Sequence, residues 1–342
     1  MKTSIEDVAR RAQVSISTVS RVINRRELVN ERTRRRVESA IAELGYRPNM
    51  FARGLMLQKS DMLGLVLPDI HGEFYSEIIR GAHARARETG YHLVVSSSDG
   101  ADDTQRLLAD LTRRAIIDGL AIFLTERTPA LLEAIDQARI PCAILDANLE
   151  QQRYDAVTID HRAGALALMR HLVDDCGARR IVFIGGPAGN ADTIARREAY
   201  EDVIRTELTW RPDDVYHLDY QYETAYPFAL ERAQSWAGPG HAVFAANDEM
   251  ASGVVDAAAA LGLRVPHDLA VVGFDDIRIA RMTRPPLTTV RVPMFGMGAA
   301  AIELLSQRVA EPQRPPVRIL LTPELIVRRS SGAPLDAETL SR

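Results

Sequence analysis

The stretch SIEDVARRAQVSISTVSRVIN, residues 4–24, predicts two short helices joined by a tight turn. Ser4 is a suitable N-cap for the first helix, and Asp7, three residues later, offers a carboxylate to the same helix end. Apolar residues then recur every three or four positions, which gives this helix one inward face. Residues 12–14 form the turn, and Ser15 caps the second helix. The stretch therefore predicts a compact helical pair near the start of the chain.

The second helix has an outer face that suits contact with DNA. Val19, Val22 and Ile23 fall on its inner side. Its outer side carries Ile16, Ser17, Ser20 and Arg21. Small polar and basic side chains on the second helix of such a pair are typical of a DNA-reading helix-turn-helix. An ordinary helical hairpin has the same apolar spacing, so the rest of the chain must decide between the two interpretations.

Charge is distributed unevenly along the 342 residues, although the formal net charge is only −4. Residues 1–60 contain 13 Lys and Arg against six Asp and Glu, whereas the remainder contains 29 against 40. A basic end on a larger acidic chain favours a nucleic-acid-binding head on a soluble body. A solvated charged surface is the alternative, and so one-sided a distribution makes it the weaker one. The length also predicts more than one domain.

The two cysteines, Cys142 and Cys176, lie in apolar surroundings without a second thiol or a histidine at metal-ligand spacing. We expect both to be reduced core residues of a cytoplasmic protein. The N-terminus has no apolar signal region, and no apolar run reaches the length of a membrane span. A secreted or membrane protein is therefore not expected.

A third helix is predicted over residues 31–44, with Asn30 as its cap and Gly45 as its end. Four arginines near its start could meet phosphates with their outward members; they are Arg32, Arg34, Arg35 and Arg36. Residues 49–57, NMFARGLML, are too short for a stable helix in water, and Gly54 weakens it further. The polar residues 58–61 mark the domain boundary.

From residue 62 onward, short apolar runs alternate with amphipathic helical segments. This alternation predicts an α/β body of doubly wound parallel sheets. About 260 residues of it exceed one such sheet, so two lobes are expected. The predicted divisions are a helix-turn-helix domain at 1–48, a hinge and linker at 49–61, and a body at 62–342. Within the body, lobe 1 takes about 62–160 and 291–322, and lobe 2 takes about 161–290 and 323–330.

Polar residues follow directly after several predicted strands. They are Asp69, Asp146, Asp160, Asn247 and Asp275. Ligands of open α/β sheets bind outside the carboxyl ends of the strands, so two facing lobes would place these side chains around a cleft. Each one alone is as well explained as a helix cap or a turn residue. As a group they suit a ligand rich in hydroxyls.

These features together resemble the lactose/galactose-repressor (LacI/GalR) family of bacterial transcription regulators. The similarity runs through IEDVARRAQVSISTVSRVIN, GYRPN and ARGL in the head. It continues through LPDIHGEFYSEIIRGA, FIGGP, FAANDEMASGV, VVGFDDI and PPLTTVRVP in the body. The resemblance implies an all-α DNA-binding head and a two-lobed, periplasmic-binding-protein-like body.

For the head, the resemblance implies that Ile16, Ser17 and Arg21 read the operator, with Arg21 placed to contact a guanine. The positions that match phosphate contacts are Ser4, Ser15, Thr18, Ser20, Asn24, Asn30 and Thr33. Asn49 begins the stretch that matches the family's hinge helix, in which Ala52 is the close-approach residue. Leu55 matches the wedge that opens a central base step in the minor groove.

For the body, the positions that match effector contacts are Phe74, Tyr75, Asp146, Arg196, Tyr220, Asn247 and Asp275. The implied effector is a sugar, sugar acid or polyol more readily than a purine. Three residues depart from the family pattern, namely Gln13 in the turn, Gly54 in the hinge, and Val292 where some sugar-responsive members have glutamine. The family's tetramerising extension is missing, so a homodimer on a near-palindromic operator is expected. Inducer and corepressor stay equally open.

Two other classes of protein are alternatives to a transcription regulator. A solute-binding protein that feeds a transporter has the same two-lobed body, but the basic head and the missing signal region disfavour it. An enzyme is disfavoured because GxGxxG, GxxxxGK[ST], HExxH and GxSxG are all absent in the expected contexts. No cofactor and no metal are predicted.

Overall fold

The computed structural model describes residues 3–24, 29–46, 59–98, 100–113, 116–125, 128–147 and 153–332. The chain divides into two compact units, Met1–Asp61 and Met62–Arg342, each described here by itself. The predicted hinge residues Asn49, Ala52, Gly54 and Leu55 lie outside the described residues.

The head is a three-helix unit. Its helices are α1 (Ile5–Ala12), α2 (Ile16–Asn24) and α3 (Glu31–Leu44). The predicted cap at Ser4 is confirmed, because its hydroxyl accepts from the Asp7 N–H while the Asp7 carboxylate accepts from the Ser4 N–H. Val8, Val19 and Val37 are fully buried where the three helices meet. A core this small gives the unit little apolar burial of its own.

Gln13 occupies the turn between α1 and α2 in a left-handed conformation, at φ 52° and ψ 50°. This backbone region is comfortable for glycine and uncomfortable for a residue with a side chain. The turn is held from outside, since the Arg36 guanidinium of α3 donates to the carbonyls of Ala12 and Gln13. Arg36 is thus a structural residue, whereas the sequence had placed it among the possible phosphate contacts.

Lobe 1 of the body is a six-stranded parallel sheet with the strand order β11-β5-β4-β3-β1-β2. Its strands are β1 (Met62–Leu67), β2 (His92–Ser97), β3 (Gly119–Phe123), β4 (Cys142–Leu145), β5 (Asp155–Ile159) and β11 (Arg318–Leu321). Its helices are α4 (Gly72–Glu88), α5 (Gly100–Arg113), α6 (Pro129–Ala138) and α12 (Met294–Ala310). The continuous apolar runs form the central strands because both faces of a parallel sheet are covered by helices.

Lobe 2 contains a four-stranded parallel sheet of order β7-β6-β8-β9 and a separate antiparallel pair, β10 with β12. The strands are β6 (Arg180–Gly185), β7 (Val215–His217), β8 (His241–Ala245), β9 (Ala270–Val272), β10 (Thr289–Arg291) and β12 (Glu324–Ile326). The helices are α7 (His161–Arg170), α8 (Ala191–Glu207), α9 (Tyr222–Trp236), α10 (Asp248–Ala260) and α11 (Arg278–Met282). A π turn at His171–Asp175 directly follows α7.

The chain passes between the lobes after β5, after β10 and between β11 and β12. The run RILLTPELIV, residues 318–327, contains the two strands β11 and β12, which belong to two different sheets. Pro323 lies between them and has no N–H with which to continue the ladder of β11. This arrangement brings the carboxyl ends of both sheets to one cleft.

Helices α4 and α12 of lobe 1 approach unusually closely. A Cβ built on Gly81 would lie 1.9 Å from the Phe295 carbonyl oxygen, and one on Gly298 would lie 2.0 Å from that of Ile78. Both glycines are therefore required by the close approach of the two backbones. This contact holds the middle of α4 against α12, and the first turn of α4 contributes to one wall of the cleft.

The expectation for the cysteines needs a correction. Cys142 is buried, but Cys176 is only half-buried, and its sulfur lies 3.5 Å from Nε2 of His171. The π turn creates this contact, and a helix-based spacing does not anticipate it. Among the helices that the structure describes, none is long and apolar enough to cross a membrane.

Candidate functional site

A cavity of about 300 Å³ opens between the two lobes of the body. Lobe 1 contributes Asp69, His71, Gly72, Phe74, Tyr75, Phe123 and Thr125. Lobe 2 contributes Asn190, Asp192, Arg196, Asp219, Tyr220, Gln221, Asn247, Glu249 and Asp275. Most of these residues follow a strand or begin a helix, as expected at the carboxyl edge of parallel sheets. The volume is that of a small-molecule site.

Three aromatic rings form the apolar wall on the lobe 1 side. Phe74 meets Tyr75 edge-on at 5.1 Å between centroids, and Phe123 lies 6.1 Å from Phe74 and 5.7 Å from Tyr75. Each pair has the near-perpendicular geometry that aromatic quadrupoles prefer. The rings are therefore held rigidly and present a fixed surface to a ligand.

Arg196 is the central cation of the lobe 2 side and is only 3% exposed. Its guanidinium lies 4.0 Å above the Phe274 ring, donates to the Ala246 carbonyl, and has Nη2 3.9 Å from Oδ1 of Asp275. Its Nε has no hydrogen-bond partner, and neither does Oδ1 of Asp275. A buried donor and a buried acceptor are thus left unsatisfied at the cavity, and such groups are expensive unless a ligand completes them.

Asp275 is buried and sits at φ 107°, next to Asp276 at φ 56°. Positive φ at consecutive non-glycine residues is a strained arrangement, and such strain concentrates at functional sites. Burial raises the pKa of Asp275 to about 7, and the positive charges of Arg196 and His161 oppose the rise only in part. Its carboxyl group therefore changes charge near neutral pH.

Asn247 and Tyr220 support each other. The Asn247 side chain accepts from the Met250 N–H at the start of α10 and donates to the Tyr220 carbonyl. This holds Tyr220 at φ 70°, while the Tyr220 hydroxyl is 2.6 Å from Oγ1 of Thr193. Burial raises the pKa of Tyr220 to about 12. The oxygen and the nitrogen of the Asn247 amide are both hydrogen-bonded to protein groups. Asn247 therefore mainly positions the Tyr220 ring and has little remaining capacity to bind a ligand.

Gly186 makes room for the Tyr220 ring, because a Cβ on Gly186 would lie 2.2 Å from that ring. Gly186 belongs to the FIGGP stretch that carries part of the family resemblance. A glycine after a strand gives no sign of which ring will pack on it, so the contact was missed.

Asp146 does not line the cavity, although it was predicted as an effector contact. Its carboxylate lies 3.1 Å from Nε2 of His161, behind the cavity wall. His161 is buried, unlike most of the histidines of the chain. The Asp160 side chain accepts from the Ala163 N–H and caps α7. Asp160 is therefore a helix cap, which was the alternative to a ligand contact for this residue.

Asp146 of lobe 1 belongs to an ion network with His161, Asp192 and Arg196 of lobe 2. Burial raises the pKa of Asp192 to about 6, with the Asp146 charge adding to the rise. Burial is the largest influence on both His161 and Asp146 and opposes their charged forms, but the polar partners together outweigh it. The charges of Asp192 and Asp146 raise the pKa of His161, and the charge and hydrogen bond of His161, with smaller contributions from Asp192 and Arg196, lower the pKa of Asp146. The ligand atoms of Asp146, His161 and Asp192 lie within 4.8 Å of one another. Nη2 of Arg196 lies 3.1 Å from Nδ1 of His161. The arginine therefore already supplies a positive charge beside the three groups that could otherwise hold a metal ion.

The outer face of α2 in the head is open. Ile16 is 47% exposed, and Ser17 and Arg21 are exposed as well. The Ser15 hydroxyl accepts from the Thr18 N–H and lies 2.8 Å from that of Ser17, which orders the start of the helix. The remaining predicted phosphate contacts lie at helix starts or along α2; they are Ser4, Ser20, Asn24, Asn30 and Thr33.

A helix-turn-helix head followed by a two-lobed body with a ligand-sized cleft defines a class, the DNA-binding regulators with a small-molecule domain. Residues 4–49 match the model of "Bacterial regulatory proteins, lacI family", and residues 169–331 match that of a "Periplasmic binding protein-like domain". The ribose operon repressor of Escherichia coli (strain K12) is 33% identical over 331 residues, covering 96% of this chain and 99% of that protein. The chain belongs to the lacI family of bacterial transcription regulators.

Two solved structures extend the similarity. The transcriptional regulator CelR in complex with cellobiose is 31% identical, with a TM-score of 0.72 over 96% of this chain and 99% of that one. The lac repressor dimer bound to operator and the anti-inducer ONPF is 26% identical, with a TM-score of 0.86 over 97% of this chain and 99% of that one. The protein is thus a DNA-binding transcriptional regulator with an effector-binding body, and its family is one of regulators rather than of enzymes.

Proposed function

We propose that this protein represses carbohydrate-related genes and that a sugar, sugar acid or polyol in the inter-lobe cavity changes its affinity for operator DNA. The observation that carries the proposal is the pair of unsatisfied buried groups, Nε of Arg196 and Oδ1 of Asp275, opposite a rigid aromatic wall. Hydroxyl groups donate and accept, so a polyhydroxylated ring completes both groups while its apolar face packs on the aromatic rings.

The proposed roles of the residues follow from their surroundings. Arg196 and Asp275 bind ligand hydroxyls, and Phe74 and Tyr75 cover the ligand's apolar face. Asn247 and Tyr220 shape the lobe 2 side, and Asp146 acts from behind through His161. The cellobiose in the CelR complex, and the carbohydrate operon after which the ribose operon repressor is named, support a carbohydrate effector.

In the head, Ile16, Ser17 and Arg21 read base edges, since their side chains form the exposed face of α2. Ser4, Ser15, Thr18, Ser20, Asn24, Asn30 and Thr33 contact phosphates. We extend the proposal to a homodimer on a near-palindromic operator, by analogy with the lac repressor dimer on its operator. Its place of action is then the bacterial cytoplasm, where the DNA is.

We propose three functional parts, which are a helix-turn-helix domain at 1–48, a hinge at 49–61 and a body at 62–342. Asn49 and Ala52 let the hinge approach DNA, and Leu55 opens a base step. Leu55→Ala should therefore weaken operator binding strongly, as measured by gel shift. Unchanged affinity would exclude the wedge.

Effector and operator are coupled through the arrangement of the lobes. Contacts already cross the cleft, since the Glu73 carboxylate accepts from the Arg278 N–H at 2.8 Å. A ligand that binds both lobes stabilises one arrangement of the lobes. Operator DNA, through the hinge, also favours one arrangement of the lobes, so ligand binding and DNA binding are thermodynamically linked.

A thermal-shift screen of sugars, sugar acids, polyols and purines tests the effector assignment. Compounds that bind the native cavity raise its apparent stability. We expect carbohydrates to give shifts that Asp275→Asn reduces, whereas Asp213→Asn, an exposed residue of lobe 2 outside the cavity lining, leaves them unchanged. Shifts with purines alone would contradict the assignment.

A further inference from the structure

His161 lies where the chain first passes from lobe 1 to lobe 2. It is the first residue of α7, two positions after the end of β5, and it is only 5% exposed. One nitrogen of its ring faces Arg196 of lobe 2, and the other faces Asp146 at the end of β4 in lobe 1. The imidazole therefore connects a residue of the cavity lining with the opposite lobe.

The hydrogen-bonding capacity of arginine fixes the roles of the two ring nitrogens. A guanidinium only donates, so Nδ1 of His161, 3.1 Å from Nη2 of Arg196, is the acceptor. The single ring proton is then on Nε2, which donates to the Asp146 carboxylate, both of whose oxygens lie at 3.1 Å. A second proton, on Nδ1, would set donor against donor and break the contact with Arg196. His161 thus accepts on one side and donates on the other.

The ring of Phe274 keeps the two side chains in a fixed position relative to each other. The Arg196 guanidinium lies 4.0 Å from the centre of that ring, and the centre of the His161 ring lies 6.0 Å from it. Arg196 uses Nη2 for His161 and Nη1 for the Ala246 carbonyl, whereas its Nε has no partner among the described residues. The nitrogen left for a ligand is therefore not one that holds His161. A ligand at Nε fixes the plane of the guanidinium, and with it the position of Nη2 against His161.

The contact between His161 and Asp146 is better suited to transmit ligand binding than the hydrogen bond between Arg278 and Glu73, which also crosses the cleft. The Arg278–Glu73 bond is exposed, so water can replace it when the lobes move. Asp146 and His161 are both buried, and a hydrogen bond to a carboxylate is electrostatically stronger there. A shift of the lobes is therefore more costly at His161 than at Glu73.

We propose that His161 is a positioning residue that transmits ligand binding at Arg196 to Asp146 of lobe 1. His161 does not contact the ligand itself, because it lies outside the cavity lining. A ligand that orders Arg196 strengthens the Arg196–His161–Asp146 bridge and so stabilises one arrangement of the lobes. The inference rests on the proposed function and adds the route by which the filled cavity acts on the lobes.

The test measures operator affinity of the intact protein by fluorescence anisotropy, without carbohydrate and with a saturating one. The probe is whichever of ribose, glucose, galactose, gluconate, sorbitol and cellobiose raises the thermal transition of the wild type most. In the wild type we expect a change of roughly fivefold or more in operator Kd. In His161→Leu, which fills a similar volume but makes neither hydrogen bond, the change should fall below about twofold. The same carbohydrate should still bind to His161→Leu, with a higher Kd in calorimetric titration.

His161→Gln separates the bridge from simple packing. The glutamine amide has an acceptor and a donor, so it can accept from Arg196 and donate to Asp146 at the same time. It should restore most of the wild-type change in operator Kd. Asp146→Ala should remove the change as His161→Leu does, and the double variant should lose little more. His267→Leu, at an exposed histidine of lobe 2 outside the cavity lining, is the control and should keep the full change.

A full change in operator Kd in His161→Leu would overturn the assignment of His161. So would a His161→Gln protein that responds no better than His161→Leu. If His161→Leu does not fold, a full response in Asp146→Ala would overturn the assignment instead. A wild-type protein whose operator Kd is unchanged by all six compounds would overturn the proposed function as well.

Discussion

Gln13 shows how one residue can depart from its family's pattern without changing the fold. Its φ of 52° is the conformation that glycine or asparagine adopts more easily, and Arg36 holds the turn by donating to the Gln13 carbonyl. The family resemblance identified Gln13 only as a departure in the turn, and the left-handed geometry shows that the backbone of Gln13 is strained.

Replacing Gln13 with glycine should therefore stabilise the head by about 0.5–1 kcal/mol, because it removes the left-handed strain at a smaller cost in chain entropy. Gln13→Val, which adds β-branching at the same φ, should destabilise it by roughly 1–2 kcal/mol. Hydrogen exchange of the α1 and α2 amides in the intact protein measures both effects. Equal protection in the three proteins would contradict the assignment of strain.

Asp275 should make the stability of the body depend on pH. Its pKa is about 7 in the folded protein and about 4 in the unfolded chain, so the folded state binds more protons between these values. Stability is therefore lost as the pH rises through this range. Asp275→Asn removes the loss, and from pH 5 to pH 8 the variant should gain about 3 kcal/mol relative to wild type.

Urea unfolding of both proteins at several pH values checks this sign and size. Asp192, whose pKa is about 6, is present in both and contributes a loss of the same sign. The comparison therefore isolates Asp275. Parallel stability curves for the two proteins would show that Asp275 titrates normally.

Strand ends indicated Asp69, Asn247 and Asp275 among the cavity residues, whereas Phe74, Tyr75, Arg196 and Tyr220 came only from the family resemblance. Phe74, Tyr75, Arg196, Tyr220, Asn247 and Asp275 are brought together by the fold, whereas Asp146 is turned away toward His161. His161 and Asp192 were missed because each follows a helix cap rather than a strand. Their importance comes from burial and from charges contributed by the other lobe, and neither is visible in the local sequence.

At the level of elements, the contact between α4 and α12 offers a sharp test. Gly298→Ala would bring a Cβ to 2.0 Å from the Ile78 carbonyl and 2.9 Å from the Ala82 nitrogen, so the helices must separate. We expect a loss of about 2 kcal/mol or more in the free energy of unfolding. Differential scanning calorimetry of the body's transition measures it.

Gly296→Ala is the matched control in the same helix. Its Cβ would meet only Pro293 at 3.8 Å, so the better helix propensity of alanine should stabilise the protein slightly, by up to about 1 kcal/mol. If both variants had the same transition temperature, close backbone approach would not be what selects glycine at position 298.

The alternation of strands and helices was predictable because buried parallel strands are continuous apolar runs with turn residues at both ends. The head followed from its caps, since Ser4 and Asn30 both make the predicted bonds. The structural features that the sequence did not predict depend on contacts between residues far apart in the chain. The π turn at His171–Asp175 places His171 against Ser331, which is 160 residues away.

At the scale of the whole molecule, the uneven charge should govern DNA affinity. The basic residues of the head release counterions when they meet phosphates, so operator affinity should fall steeply with salt. Between about 50 and 200 mM salt we expect a loss of roughly 10³-fold, measured by fluorescence anisotropy. A shallow dependence would mean that few of the proposed phosphate contacts form.

Arg21→Ala separates base reading from phosphate contact. It should weaken binding to the operator by about 1–3 kcal/mol while leaving affinity for unrelated DNA nearly unchanged. Equal losses on both DNAs would make Arg21 a phosphate contact.

The coupling between cavity and operator is tested most directly by measuring operator affinity with and without the carbohydrate that binds in the thermal-shift screen. Intact protein is titrated into labelled operator DNA, selected by binding from a random library, at zero and at saturating carbohydrate. We predict a change of roughly fivefold or more in operator Kd, and an equal change in carbohydrate Kd when operator is present, because linkage is reciprocal. An operator Kd that is the same with the cavity empty and the cavity filled would contradict the proposal that this cleft controls DNA binding.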